Sequence, residues 1–281
     1  MAIPYELIAA SKPFRILVGP DKKEFTMHTE LLGRMSKPLR TLVKGDMKEA
    51  KEGVAEWPEI DEGTFIRFWE FAYTGDYKAA EPFIDAPAPS DLANGNAQTL
   101  ANRNQNGQYY EEEQEDGYHN YNYGYGSRTA TTTSKREMWK QFQNQFSTEQ
   151  DKAPAEQPNK DPSANYSEAL LSHARLYAFA DYYCVDALMA LCLRKLHRTL
   201  KVFSLHGGAR VTDVAQLVDY AYKNTVSGKA AGGEPDGLRS MLATYAACKV
   251  EGLWDNIYFQ DVLESGEVAK AIIGQLMRRL K

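Results

Sequence analysis

Apolar and polar positions alternate first near the amino terminus. Phe14-Arg15-Ile16-Leu17-Val18 is β-favouring and runs into Gly19-Pro20-Asp21, which bends the backbone. Glu24-Phe25-Thr26-Met27 alternates again, as the second arm of a hairpin would. The period then lengthens: Leu31, Leu32 and Met35 share a helical face, and Pro38 follows. Val54 and Trp57 to Ile60 predict a third short strand. Phe65, Phe68, Trp69 and Ala72 recur at helical spacing, in a helix that Asp61 caps by accepting an orphan amide and Gly75 ends by adopting a left-handed conformation.

Helical periodicity returns after residue 165. Leu170, Ala174, Tyr177 and Ala178 make one stripe, and Leu188, Leu191, Cys192, Leu196 and Leu200 a second. Val211, Val214, Ala215, Val218 and Tyr222 make a third, closed by Asn224 and a glycine-rich loop, and further helices are predicted around 238–249 and 268–280. These helices bring no strands, so they need the first segment to complete a core. The expected class is α+β.

Between the two regions the pattern is lost. Residues 78–165 hold only four large aliphatic side chains (Ile84, Leu92, Leu100 and Met138) against 19 Asn or Gln and six of the 12 prolines. So little apolar surface does not offset the entropy of ordering the backbone, and the stretch is expected to be a disordered, low-complexity insertion. Within it lies a Tyr/Asn/Gly-rich tract, Tyr109 to Tyr125, beside Glu111-Glu112-Glu113. Such tracts self-associate weakly through aromatic contacts or stay solvated. Nearer its end Met138, Phe142 and Phe146 recur at every fourth residue with Trp139 beside them, an apolar stripe for a short helix. These four residues are candidates for docking on a partner; folding back on the chain itself is the alternative.

The net charge is −5. The insertion carries 8 basic and 13 acidic residues, leaving the rest balanced at 25 and 25, so nothing predicts a basic face and nucleic acid is not an expected partner. No apolar run is long enough to span a bilayer, and the first residues lack the basic and apolar regions of a signal peptide. Cys184, Cys192 and Cys248 are too few and too scattered for a disulfide scaffold or a metal site. An intracellular protein, in cytoplasm or nucleus, free of membrane, metal and cofactor, is the expectation. The five histidines form no HExxH, no phosphate-binding glycine loop or GxSxG is present, and no catalytic residue is assigned.

Several motifs, taken in order, resemble the BTB/POZ family. Phe25-Thr26-Met27-His28-Thr29-Glu30-Leu31-Leu32, with Ser36-Lys37-Pro38-Leu39, is similar to its F-x-x-H-x-x-x-L … S-x-x-L signature. Gly45-Asp46-Met47-Lys48-Glu49-Ala50 resembles the loop after its second helix. Tyr73-Thr74-Gly75-Asp76-Tyr77 matches its Y-T-G-x-Y turn, and His173 to Tyr183 with Leu188 resembles the closing helix pair. The helical tail around Leu217 to Thr225 looks like the extension of many fungal members.

The resemblance implies a small, mainly three-stranded sheet flanked by helices. Residues 1–13 are a lead-in, 14–77 the first part of the domain, 78–165 the insertion, 166–203 the closing helices and 204–281 a helical extension. It implies structural roles for His28, bonding to backbone where strand meets helix, and for Tyr73, Gly75, Tyr177 and Asp181; Asp46 is expected to be a buried acceptor. It also implies a partner: members that recruit a cullin scaffold place a hydrophobic-x-Glu tripeptide where Met47-Lys48-Glu49 stands. The expected function is therefore a non-catalytic protein-interaction module, an adaptor for a cullin-based ubiquitin ligase. The alternatives are an oligomerising or transcription-regulatory scaffold, including a homodimer, and, more remotely, an enzyme with an unfamiliar site. The lead-in is shorter than the element that dimeric members exchange.

Overall fold

The computed structural model describes residues 5–84, 128–146, 157–226 and 236–279. Strands β1 (Pro13–Val18) and β2 (Lys23–His28) form an antiparallel hairpin in which Phe14 faces Met27 and Val18 faces Lys23. Its turn requires positive φ at Gly19 (74°) and Lys22 (51°), the first supplied at no cost by glycine. β3 (Val54–Trp57) returns parallel to β1, giving the order β2-β1-β3. The third strand ends at Trp57 rather than Ile60, because Pro58 follows and the Ile60 amide turns back to the Trp57 carbonyl (3.3 Å).

A short helix, α1 (Tyr5–Ala9), precedes the sheet. Between β2 and β3 the chain crosses over through α2 (Thr29–Met35), α3 (Lys37–Lys44) and α4 (Lys48–Glu52). Ser36 separates the first two by capping α3 through the Leu39 amide (3.2 Å). α5 (Glu62–Thr74) starts and stops where the pattern predicts: Asp61 accepts from the Thr64 amide (2.8 Å), and Gly75 sits at φ 80° with its amide on the Phe71 carbonyl. Trp69 departs from the expected stripe. It is exposed at the helix edge, and its indole N–H donates to the Thr26 carbonyl (3.2 Å), tying α5 to β2.

The carboxy-terminal region is helical: α7 (Ser167–Tyr182), α8 (Asp186–Val202), α9 (Val211–Asn224), α10 (Gly237–Cys248), α11 (Val250–Leu253), α12 (Ile257–Glu264) and α13 (Gly266–Arg279), with α6 (Arg128–Asn144) before them. Both regions share one core. Trp57 is its hinge, with ring centroids 5.9 and 6.3 Å from Phe65 and Phe68 and 5.4 and 5.0 Å from Phe179 and Tyr183 on the distant segment.

The described parts of residues 78–165 correct the expectation of disorder across that whole stretch. Phe83 and Asn165 form an antiparallel bridge (3.1 and 2.7 Å), bringing together chain positions far apart in sequence. Asn159 exchanges two hydrogen bonds with the Ser204 backbone (2.8 and 2.7 Å), and α6 packs on α10 and α13. Counting apolar side chains over the whole stretch missed this, because polar groups with fixed backbone partners hold its ends and one short apolar stripe seats α6. The tyrosine-rich tract lies outside the described residues.

Candidate docking surface

The α3–α4 loop is shaped by a close approach. The Gly45 amide donates to the Thr41 carbonyl (2.8 Å), and a Cβ at residue 45 would stand 2.4 Å from that oxygen, so only glycine permits the exit from α3. The chain then turns outward. Met47 is 58% exposed at the start of α4, and Glu49 is half-buried on the same short helix, whose end Gly53 caps at φ 68°. Asp46 is exposed, which corrects its expected role as a buried acceptor: α4 begins at Lys48, too late to fold its first amides over Asp46. The loop therefore presents a flexible, polarisable thioether next to carboxylates, a surface suited to apolar contact with a directional acceptor at its edge.

His28 stands at the β2–α2 junction. Its Nδ1 lies 2.8 Å from the Tyr73 hydroxyl, and its own amide donates to the same oxygen (3.3 Å). The expectation that the imidazole bonds to backbone is corrected: the partner is a side chain on α5, and Tyr73 is itself packed on Trp69 at 4.4 Å. Tyr177 is buried in α7 and its hydroxyl donates to Asp236 (2.8 Å), the residue that also caps α10 through the Arg239 amide (2.9 Å). Asp181 is half-buried at the end of α7, where its carbonyl accepts from Cys184.

Helix α6 settles its own stripe against the rest of the chain. Phe142 is completely buried, 4.7 Å from His197 and 5.6 Å from Tyr245, and Trp139 stacks on it at 5.3 Å with the Lys249 ammonium over the indole. Met138, Trp139 and Phe146 are half-buried against the same core. These four candidates are thus corrected as free partner-binding residues: α8, α10 and α13 supply the groove they fill. His197 completes the attachment, its Nε2 donating to the Phe142 carbonyl (2.6 Å).

Sequence reasoning missed three buried polar joints. The Tyr77 hydroxyl and His173 Nδ1 are 2.6 Å apart inside the core, and Lys195 donates to the Tyr77 carbonyl (2.6 Å) and pairs with Asp76. Burial, aided by nearby Lys195 and Arg67, lowers His173 to about 3, and burial pushes the adjacent Cys192 thiol up to about 12. A neutral imidazole and a protonated thiol are structural partners, not an activated nucleophile. The third joint is Arg239, 7% exposed, which donates to Thr225, to the Tyr222 carbonyl (2.8 Å) and to Glu267 (2.6 Å), closing α9, α10 and α13 together. Its only signal in sequence was a charge within an otherwise apolar helix.

Among the described residues no group of three or more His, Cys, Asp or Glu could hold a metal ion, and no helix is long and apolar enough to cross a membrane. No family model, no curated protein and no solved structure matches the chain.

Proposed function

We propose that the chain is a non-catalytic protein-interaction module of the BTB/POZ type that serves, in cytoplasm or nucleus, as an adaptor for a cullin-based ubiquitin ligase. Supporting this reading, the residues that carry the resemblance fall at joints of the fold: His28 with Tyr73, Gly75 at the end of α5, and Tyr177 under the carboxy-terminal helices. The observation that carries the partner assignment is the outward position of Met47, with Glu49 beside it, in the loop where the resemblance locates cullin recognition. Such a module acts by desolvating a small apolar contact and directing it with a carboxylate; no bond is made or broken.

Calorimetric titration with the amino-terminal region of a cullin tests it. Saturable binding is expected, weakened about tenfold or more when Met47→Ala is combined with Glu49→Ala. Unchanged affinity removes the adaptor role. A scaffolding reading is favoured by a different observation, the exposure of Tyr5 and Leu7 on different sides of α1, two large apolar side chains available to a second copy. Light scattering at micromolar concentration decides it, a clean monomer counting against it.

A further inference from the structure

A cleft of about 440 Å³ opens at the carboxyl end of β3, between the β3–α5 turn and helices α7 and α9. It lies at the opposite end of that strand from the α4 loop and is separate from the surface assigned above to a cullin. One side comes from the amino-terminal segment and the other from the carboxy-terminal helices, so an occupant would touch both halves of the fold.

The walls are aromatic. Tyr182 and Tyr183 stand nearly perpendicular, 79° apart with centroids at 4.9 Å, and Tyr183 leans on Trp57 at 5.0 Å. Tyr220 lines the α9 side, and Ile60 adds an apolar strip. Tyr182 is 78% exposed, an unusual position for so large a ring with a neighbour against only one side. The hydroxyls of Tyr182, Tyr183 and Tyr220 make no hydrogen bond among the described residues.

The charges around these rings are mostly negative. Glu56, Glu59 and Asp61 line the cleft. Glu56 meets Lys22 (2.9 Å) in the open, and both Asp61 oxygens are taken up in capping α5, accepting from the Thr64 amide (2.8 Å) and hydroxyl (2.7 Å), whereas Glu59 faces no cation at ion-pair distance among the described residues. Arg175, the cation among the described residues that line the cleft, is held in a bidentate pair with Glu168 (2.6 and 3.0 Å) and also feels the Asp61 charge. Ring faces beside an unpaired carboxylate attract a cation through both the π quadrupole and direct Coulomb interaction, and an apolar strip accommodates an aliphatic stem.

We propose that this cleft receives a lysine or arginine side chain presented on a peptide segment of a partner protein. The methylenes lie along Ile60 and the ring edges, and the cationic head sits between the tyrosine faces and the carboxylate of Glu59. An acidic or neutral side chain of equal length finds the same apolar contact without the electrostatic attraction. Specificity therefore resides in charge.

The test is an NMR titration of the full chain with two Gly/Ser peptides that differ only in a central arginine or glutamine. The arginine peptide is expected to shift the amides of Glu59, Tyr182, Tyr183 and Asn224, with affinity about fivefold above that of the glutamine peptide. Tyr182→Ala and Glu59→Gln, both at accessible positions, should each lower affinity about threefold while leaving the thermal transition in place. Glu264→Gln, an exposed α12 position that does not line the cleft, should change nothing. Four outcomes would overturn the proposal: no shifts up to about 10 mM peptide, equal binding of the two peptides, shifts confined to another face, or an equal loss with Glu264→Gln. None of these bears on cullin binding through Met47, which is measured separately.

Discussion

Two regions flagged as partner-binding behave oppositely in the fold. Helix α6 carries a strong apolar stripe and buries it: Phe142 is completely covered, and His197 holds the backbone beside it. The α3–α4 loop carries one large apolar side chain and leaves it 58% exposed. An amphipathic stripe measures how much a segment gains by finding a groove, and a chain with a vacant groove of its own fills it first. A single methionine held away from the body by a glycine turn has no such groove within reach, so it stays accessible to other molecules.

Breaking the α6 side should have the largest effect. Phe142→Ala leaves a cavity between Tyr245 and His197 and should destabilise the chain by about 3–5 kcal/mol in chemical denaturation. If α6 were held only loosely the loss would stay near that of a surface substitution, and the contrast drawn here would fail.

Acid tests the other buried joint, where the chain leaves α5 through Tyr77. His173 is neutral in the fold and titrates at about 3, against 6.5 for an unperturbed side chain. Between those values the unfolded state binds more protons, so stability falls as pH drops through the window, by up to about 1.4 kcal/mol per pH unit. Comparing denaturation midpoints of the wild type and His173→Gln from pH 7 to 4 should show the steeper decline in the wild type; parallel curves would contradict the assignment.

A milder loss, about 1 kcal/mol, is expected for His197→Leu. The Phe142 carbonyl keeps its bond from the Gln145 amide (3.1 Å), so it is not stranded when the imidazole is removed. Proteolysis should then cut within α6 sooner than in the wild type. At the far end, Met47→Ala should shift stability by less than about 0.5 kcal/mol. A larger loss would mean that the side chain packs inward and would erase the difference between the regions.

Much of the amino-terminal half was legible because its signals are local. The hairpin needs only alternation and Gly19-Pro20, and α5 needs only Asp61, a three-and-four spacing and Gly75. Helices α11 and α12 went unread, because helices of four and eight residues give periodicity too little length to register; α12 starts instead with Asn256 accepting from the Phe259 amide (3.0 Å). The candidate loop was legible as a motif, but the positions of its side chains were not: Asp46 was expected inside and lies outside.

By itself, then, the order of residues determined the hairpin, the third strand, α2, α5 and the longer carboxy-terminal helices, and that two separated stretches must share a core. Those outcomes depend on backbone preference and on the spacing of apolar groups within about a dozen positions. Tertiary structure alone decided that α6 closes on its own chain, that Asn159 and Phe83 fasten the base of the insertion, and that Tyr182, Tyr183 and Tyr220 meet around one acidic cleft. Each of those depends on groups far apart in sequence arriving within a few ångströms, and no local pattern encodes a distance.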